Sequence, residues 1–200
     1  MDELQKQFSS EIEINWHYLA VFGNVSGKLA SQWGTRGGVA GYAAHMREVA
    51  AGFEQVTVHA DTWENVTPQS SAPAHLYLCA ARVAASNGLL PADSEAKLAW
   101  AFRVAFFRDA LDISGAAVLR KICIQQGLGL SVLDNLLDSG SAYAAFCNDM
   151  QLARDANVRS SPTLIFNEDR QRLTGNVGYR IIETNVRELL ERPQTQHSWC

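Results

Sequence analysis

The sequence predicts an α/β fold: a small sheet covered by helices and interrupted by a long helical insertion. Three observations predict it. Residues 11–20 (EIEINWHYLA) alternate, with Ile12, Ile14, Trp16 and Tyr18 on one side, as in a half-buried strand. Residues 163–166 are a β-branched and aromatic run, and residues 172–174 can pair back on them across the polar turn 167–170. Between these strand signals, apolar residues recur at helical spacing.

In chain order, residues 2–9 read as the end of a helix, with Leu4 and Phe8 four apart among good helix formers. The alternating segment 11–20 follows. Residues 22–38 read as loop because they hold Gly23, Gly27, Gly34, Gly37 and Gly38. Val39, Tyr42, Met46, Val49 and Phe53 then return to helical spacing. Residues 57–72 have no clear period. A helix is expected from Pro73, with Ser71 as its cap, Leu76, Cys79, Ala80 and Val83 on one face, and Gly88 as its stop. The next covers about 93–109, with Leu98, Ala101, Phe102, Ala105 and Phe106 inward. Asp112 or Ser114 is placed to cap another, which carries Val118, Leu119, Ile122 and Cys123 and stops at Gly127. Helices near 131–138 and 141–156 follow, the latter expected to bury Tyr143, Phe146, Met150 and Ala153. After the hairpin, residues 178–191 form an amphipathic helix, and the tail RPQTQHSWC is expected to fray. No internal repeat or low-complexity linker divides the 200 residues.

Composition narrows the function. Seventeen basic against twenty-one acidic residues, with no Lys/Arg run, argue against a nucleic-acid surface. No apolar stretch approaches the roughly 18 residues of a membrane span, and the polar start MDELQKQF does not read as a signal peptide, so the expected location is cytoplasmic. Cys79, Cys123, Cys147 and Cys200 form no C-x-x-C, and the five histidines form no metal-binding spacing, so no metal site is expected. Cys79, Cys123 and Cys147 sit among apolar residues on predicted helices and read as buried thiols, whereas Cys200 reads as exposed. Residues 22–29 (FGNVSGKL) glance at a phosphate loop but lack its first glycine and its Ser/Thr after Lys28. The glycine-rich 34–41 follows no strand directly, and Asn24 and Asn65 match the glycosylation pattern only by chance. Asp109 and Asp112 could work as an acid–base pair, but capping and solvation account for them better.

The most informative stretch is 158–163 (VRSSPT), between a helix end and a strand. Proline cannot donate to a ladder, so Pro162 marks the strand start. Together with residues 105–114 (AFFRDALDIS), Val118-Leu119, Gly127, 164–167 (LIFN) and 175–179 (GNVGY), it resembles the DsbA-like thioredoxin family. The likeness spans about residues 2–191 and is nearest the cytoplasmic branch of polyketide-associated disulfide oxidoreductases and 2-hydroxychromene-2-carboxylate isomerases. The resemblance implies one thioredoxin-like domain over 1–200, with the insertion at about 38–157. It further implies a cis Pro162, and a substrate or glutathione site at Ser160, Ser161, Pro162 and Thr163, where the Ser161 backbone pairs with the ligand.

One departure from the family pattern is large. The family's first strand and its C-x-x-C, or serine variant, at the start of the first helix do not precede Asp2. Without that strand, ladder groups between 12–18 and 163–166 would lack partners, each costing roughly 1–3 kcal/mol. Three outcomes are expected: a truncated chain, a strand supplied by another chain, or direct closure of the two flanking strands. The resemblance therefore implies a thiol–disulfide oxidoreductase whose nucleophile is missing here, so no catalytic residue is assigned. It also admits a glutathione-dependent isomerase or transferase, and a non-catalytic peptide- or partner-binding protein. The implied partners are a protein or peptide thiol or disulfide, or glutathione, with homo-oligomerisation open and no other cofactor.

Overall fold

The computed structural model describes residues 2–54 and 56–192. The tail expected to fray, with His197 and Cys200, lies outside the described residues from 193 onward. Two units pack separately: residues 1–19 with 151–200, and residues 20–150.

The first unit begins with α1 (Asp2–Phe8), whose Leu4 and Phe8 are buried as their four-residue spacing predicts. The strands β1 (Thr163–Phe166) and β2 (Gln171–Thr174) form an antiparallel hairpin in the register Thr163↔Thr174 to Phe166↔Gln171. Its turn holds Asn167, Glu168 and Asp169 at positive φ, and Arg172 clasps Asp169 across it. The amphipathic α9 (Tyr179–Glu191) brings Val186 onto Leu4 and Phe8, with Ile12, Phe166, Tyr179, Ile182 and Leu190 around them. Gln7 Nε2 donates to Glu183 Oε1 at 2.7 Å, and Tyr179 Oη donates to Gln7 Oε1, so polar pairs tie α1 to α9 beside that core.

The strand expected over 11–20 does not form. Ser9–Glu11 make a 3-10 turn and residues 12–20 carry no strand. Alternation suits an extended chain, but a strand exists only with a ladder partner. Among the described residues β1 pairs with β2 alone. Ile12 instead spends its apolar surface on the α1/α9 core.

The second unit is helical. It contains α2 (Val25–Trp33), α3 (Gly38–Ala51), α4 (Ala72–Ser86), α5 (Ser94–Phe107), α6 (Ala116–Gln125), α7 (Leu130–Asp138) and most of α8 (Ser141–Asp155). Helix α4 lies at its centre. Tyr77, Leu78, Cys79, Ala80, Ala81 and Ala84 are all buried, so it is covered by neighbours on several sides, α5, α6 and α7 among them. Leu98, Leu119 and Leu133 are sealed from solvent. A second core gathers Val25, Leu29, Ala43, Trp63 and Phe106, joined by Phe22, Trp33 and Tyr42. Trp63 stacks edge-on against Tyr42 and Phe106 at 5.1 Å while its backbone holds φ 65. A large residue in that region is strained, and the aromatic packing holds it there.

The stretch 22–38, expected as loop, holds α2 over Val25–Trp33 and a 3-10 turn over Gly34–Arg36. Asn24 Oδ1 accepts the Gly27 N–H at 2.9 Å, a side-chain cap that starts α2, and Val25 and Leu29 bury against the aromatic core. Packing of these two residues outweighs the helix penalty of Gly27, about 1 kcal/mol. The segment resembling a phosphate loop is this capped helix start. Gly41 is required for a different reason: a Cβ there would stand 1.9 Å from the Arg36 carbonyl oxygen.

Three caps and faces also differ from expectation. Gly115, not Asp112 or Ser114, occupies the α6 N-cap; Asp112 Oδ1 instead accepts from Ser114 N at 2.8 Å, forming a turn one residue earlier. Ser71 stands at the α4 N-cap and Pro73 in its first turn, as expected, but the Ser71 side chain makes no capping hydrogen bond. On α8, Ala142 and Asp149 are buried while Tyr143 is exposed. Phe146, Met150 and Ala153 are half-buried, so of the four residues expected inward it is Tyr143 that turns to solvent.

Candidate functional site

The residues expected to bind substrate lie together at the entrance to β1. Val158 N–H closes the end of α8 on the Ala153 carbonyl at 2.7 Å, and the chain then turns through Ser160 and Ser161. Thr163 Oγ1 donates to the Ser160 carbonyl at 2.8 Å, and Gly175 N–H donates to the Pro162 carbonyl at 2.9 Å. These two bonds anchor the loop on both sides of Ser161. The Ser161–Pro162 peptide is cis. Ser161 and Pro162 are exposed, Ser160 and Thr163 half-buried. Among the described residues the Ser161 N–H and C=O have no backbone partner. The result is one exposed donor and one exposed acceptor on a tethered loop beside a strand, which an extended peptide can use for main-chain pairing.

The two buried thiols offer no nucleophile in this arrangement. Cys79 and Cys123 are buried as expected, and burial pushes each up to about 12. Cys147 is exposed, against expectation, because its helix turns Ala142 and Asp149 inward instead. At pH 8, a thiol with a pKa of about 12 is thiolate in roughly one molecule in ten thousand. In a Cys200→Ser background, an aromatic disulfide reagent is therefore expected to titrate Cys147 in the native protein. Cys79 and Cys123 should react only after unfolding. Equal reactivity of all three in the folded protein would contradict this placement. Asp109, one half of the carboxylate pair suggested by the sequence, is taken up by an exposed ion pair with Arg108 at 2.8 Å, while Asp112 serves its turn.

Sequence reading missed one buried polar cluster. Asp149 is 3% exposed and accepts from Arg82 Nη2 at 2.8 Å. The Cys79 thiol lies 3.9 Å from the same carboxylate, and Glu95 is 3.9 Å from the other end of Arg82. His75 packs against Phe146, and burial lowers its pKa to about 4 despite the opposing pull of Asp149. His75, Cys79 and Arg82 fall at i, i+4 and i+7, and Ala142, Phe146 and Asp149 repeat that spacing on α8. The two matching stripes were the available signal. The cluster is an internal ion pair with a raised thiol beside it, and its visible role is to fasten α4 to α8.

A family model described as thioredoxin matches residues 41–184, from α3 through the Ser160–Thr163 loop and into α9. The chain belongs to the thioredoxin family. Among solved structures it is similar to a Nitrosomonas europaea protein provisionally described as a protein disulfide isomerase. The TM-score is 0.63 at 18% identity, covering 98% of this chain and 89% of that one. At that identity the likeness is one of fold. No curated protein matches the chain. The fold is thus thioredoxin-like with a large helical insertion. Within it, the hairpin is the sheet present among the described residues, and no C-x-x-C stands in the sequence.

Proposed function

We propose that this thioredoxin-family chain serves thiol–disulfide exchange of the DsbA-like kind, and that its own part is to hold the substrate. The observation that carries this reading is exposed Ser161, whose backbone has no backbone partner among the described residues, in a loop tethered at the Ser160 and Pro162 carbonyls. A cysteine-bearing peptide would add to that backbone as a short strand, with Ser160 and Thr163 fixing the loop. The attacking thiolate is assigned to a group outside these 200 residues, because burial holds Cys79 and Cys123 protonated and the exposed Cys147 has no resolving cysteine at C-x-x-C spacing. The free Cys79, Cys123 and Cys147 among the described residues support a reducing, cytoplasmic setting. No helix among the described residues is long and apolar enough to cross a membrane. A glutathione-dependent isomerase would use the same backbone for a smaller peptide, so oxidised glutathione belongs in the test.

The test has two arms. The 200-residue protein is expected to leave insulin reduction at the background rate of added dithiothreitol. It is also expected to bind an unfolded, cysteine-bearing peptide saturably, with Pro162→Ala weakening that binding roughly tenfold, about 1.4 kcal/mol. Pro162 restricts the loop and withholds its own N–H, so alanine there loosens the segment that presents Ser161. Binding unchanged by Pro162→Ala, or absent from the parent protein, overturns the assignment. Competition by oxidised glutathione but by no longer peptide would move it to the isomerase class.

A further inference from the structure

Helix α5 carries Trp100, Val104 and Arg108 at four-residue spacing, Arg108 being the residue that ends the helix. Between this row and α6 lie Ala101 and Ala105, whose short side chains leave a groove of about 300 Å3. Ile122 lies in it; Leu111, Gln125, Gln126 and the Arg108–Asp109 pair complete its walls. Trp100 is 67% exposed and Leu111 41% exposed, although neighbouring residues on the same helix are sealed. A groove of mixed polar and apolar lining flanked by so exposed a tryptophan suits an interaction surface, since Trp and Arg are the residues enriched at hot spots.

We propose that this face joins two copies of the chain in a two-fold dimer, with Trp100 of each copy seated in the groove of the other. The rim is self-complementary. It presents one cation and one anion side by side, so a two-fold axis sets Arg108 of one copy against Asp109 of the other and repeats the contact in reverse. The internal Arg108–Asp109 pair is exposed and weakly held, so its exchange costs little. The two glutamines each offer a donor and an acceptor, again suited to their own copies. With no net charge at the rim, the groove favours neither a strongly acidic nor a strongly basic partner. The area sets the strength. Trp100 and Leu111 from both copies supply roughly 500 Å2 of apolar surface, short of the 1,200 Å2 or more of a stable complex. The dimer is therefore weak and forms at roughly 10–100 μM. This inference is independent of the Ser161 site.

Sedimentation equilibrium of the full chain over a concentration series reads it directly. The parent is expected to pass from monomer to dimer within that range. Trp100→Ala should raise the dissociation constant roughly thirtyfold or more, with an unchanged melting curve because the side chain is exposed. Arg108→Asp should weaken the dimer by setting Asp against Asp109, and the double variant Arg108→Asp/Asp109→Arg should restore it. A chain that stays monomeric throughout overturns the proposal. So does a dimer indifferent to Trp100→Ala, or one that the charge swap fails to rescue. A monomer whose Trp100 environment changes only on adding the cysteine-bearing peptide would give the groove to that peptide instead.

Discussion

Replacing Asp149 with alanine is expected to destabilise the helical unit by about 3 kcal/mol, a large share of a domain's stability. Asp149 is 3% exposed and is the near partner of Arg82, at 2.8 Å. Removing it takes the 2.8 Å partner from a half-buried guanidinium, and Glu95, at 3.9 Å, is too far to replace it. That longer contact keeps the loss toward the lower end of the 3–5 kcal/mol typical of a broken buried pair. The same reasoning predicts that Arg82→Met/Asp149→Leu costs less than Asp149→Ala alone, since the close 2.8 Å pair is then removed as a unit and what is lost besides is the longer 3.9 Å contact to Glu95. Urea unfolding of the three proteins checks this. If the double variant is the less stable, the ion pair contributes more than its desolvation costs, and an orphaned Arg82 charge does not account for the loss in Asp149→Ala.

Acid is expected to weaken the same region through His75. Burial lowers its pKa from 6.5 to about 4, while Asp149 opposes the shift. The folded protein therefore binds this proton less readily than the unfolded chain. Stability does not depend on the group above pH 6.5 and falls as pH drops from 6.5 toward 4. The full shift corresponds to about 3 kcal/mol, reduced to about 2 because the ring is not wholly enclosed. His75→Gln removes the titrating group, so its stability should decline less steeply over that window than the parent's. Parallel curves for the two proteins would rule His75 out as the sensor. Asp149→Asn should steepen the parent's decline, because it removes the charge that favours the protonated imidazole.

How legible the molecule was in its sequence depended on the range of the interaction involved. The helices α4 to α9 follow from apolar residues three and four apart. Their burial is visible in Leu98, Phe102, Phe106 and Leu119, all placed inward by spacing. Pro162 marked the start of β1, and the run to Phe166 marked the strand, because both signals are local. Glycine content misled at 22–38, since one capping contact from Asn24 and two buried residues stabilise a helix that composition disfavours. Alternation misled at 11–20, since strand pairing needs a partner that periodicity does not report.

The site divides in the same way. The chain order alone determined that Ser160, Ser161, Pro162 and Thr163 stand together ahead of a strand, because they are consecutive. It also determined that no cysteine pair has exchange spacing. Tertiary structure decided that Ser161 is exposed with no backbone partner among the described residues, that Cys147 faces outward, and that Asp149 turns inward to meet Arg82. The last two depend on atoms 67 residues apart, or on which helix face a neighbour covers. The free energy that selects such faces comes from burying one surface against another, and a single stretch of sequence carries only its own half of that contact.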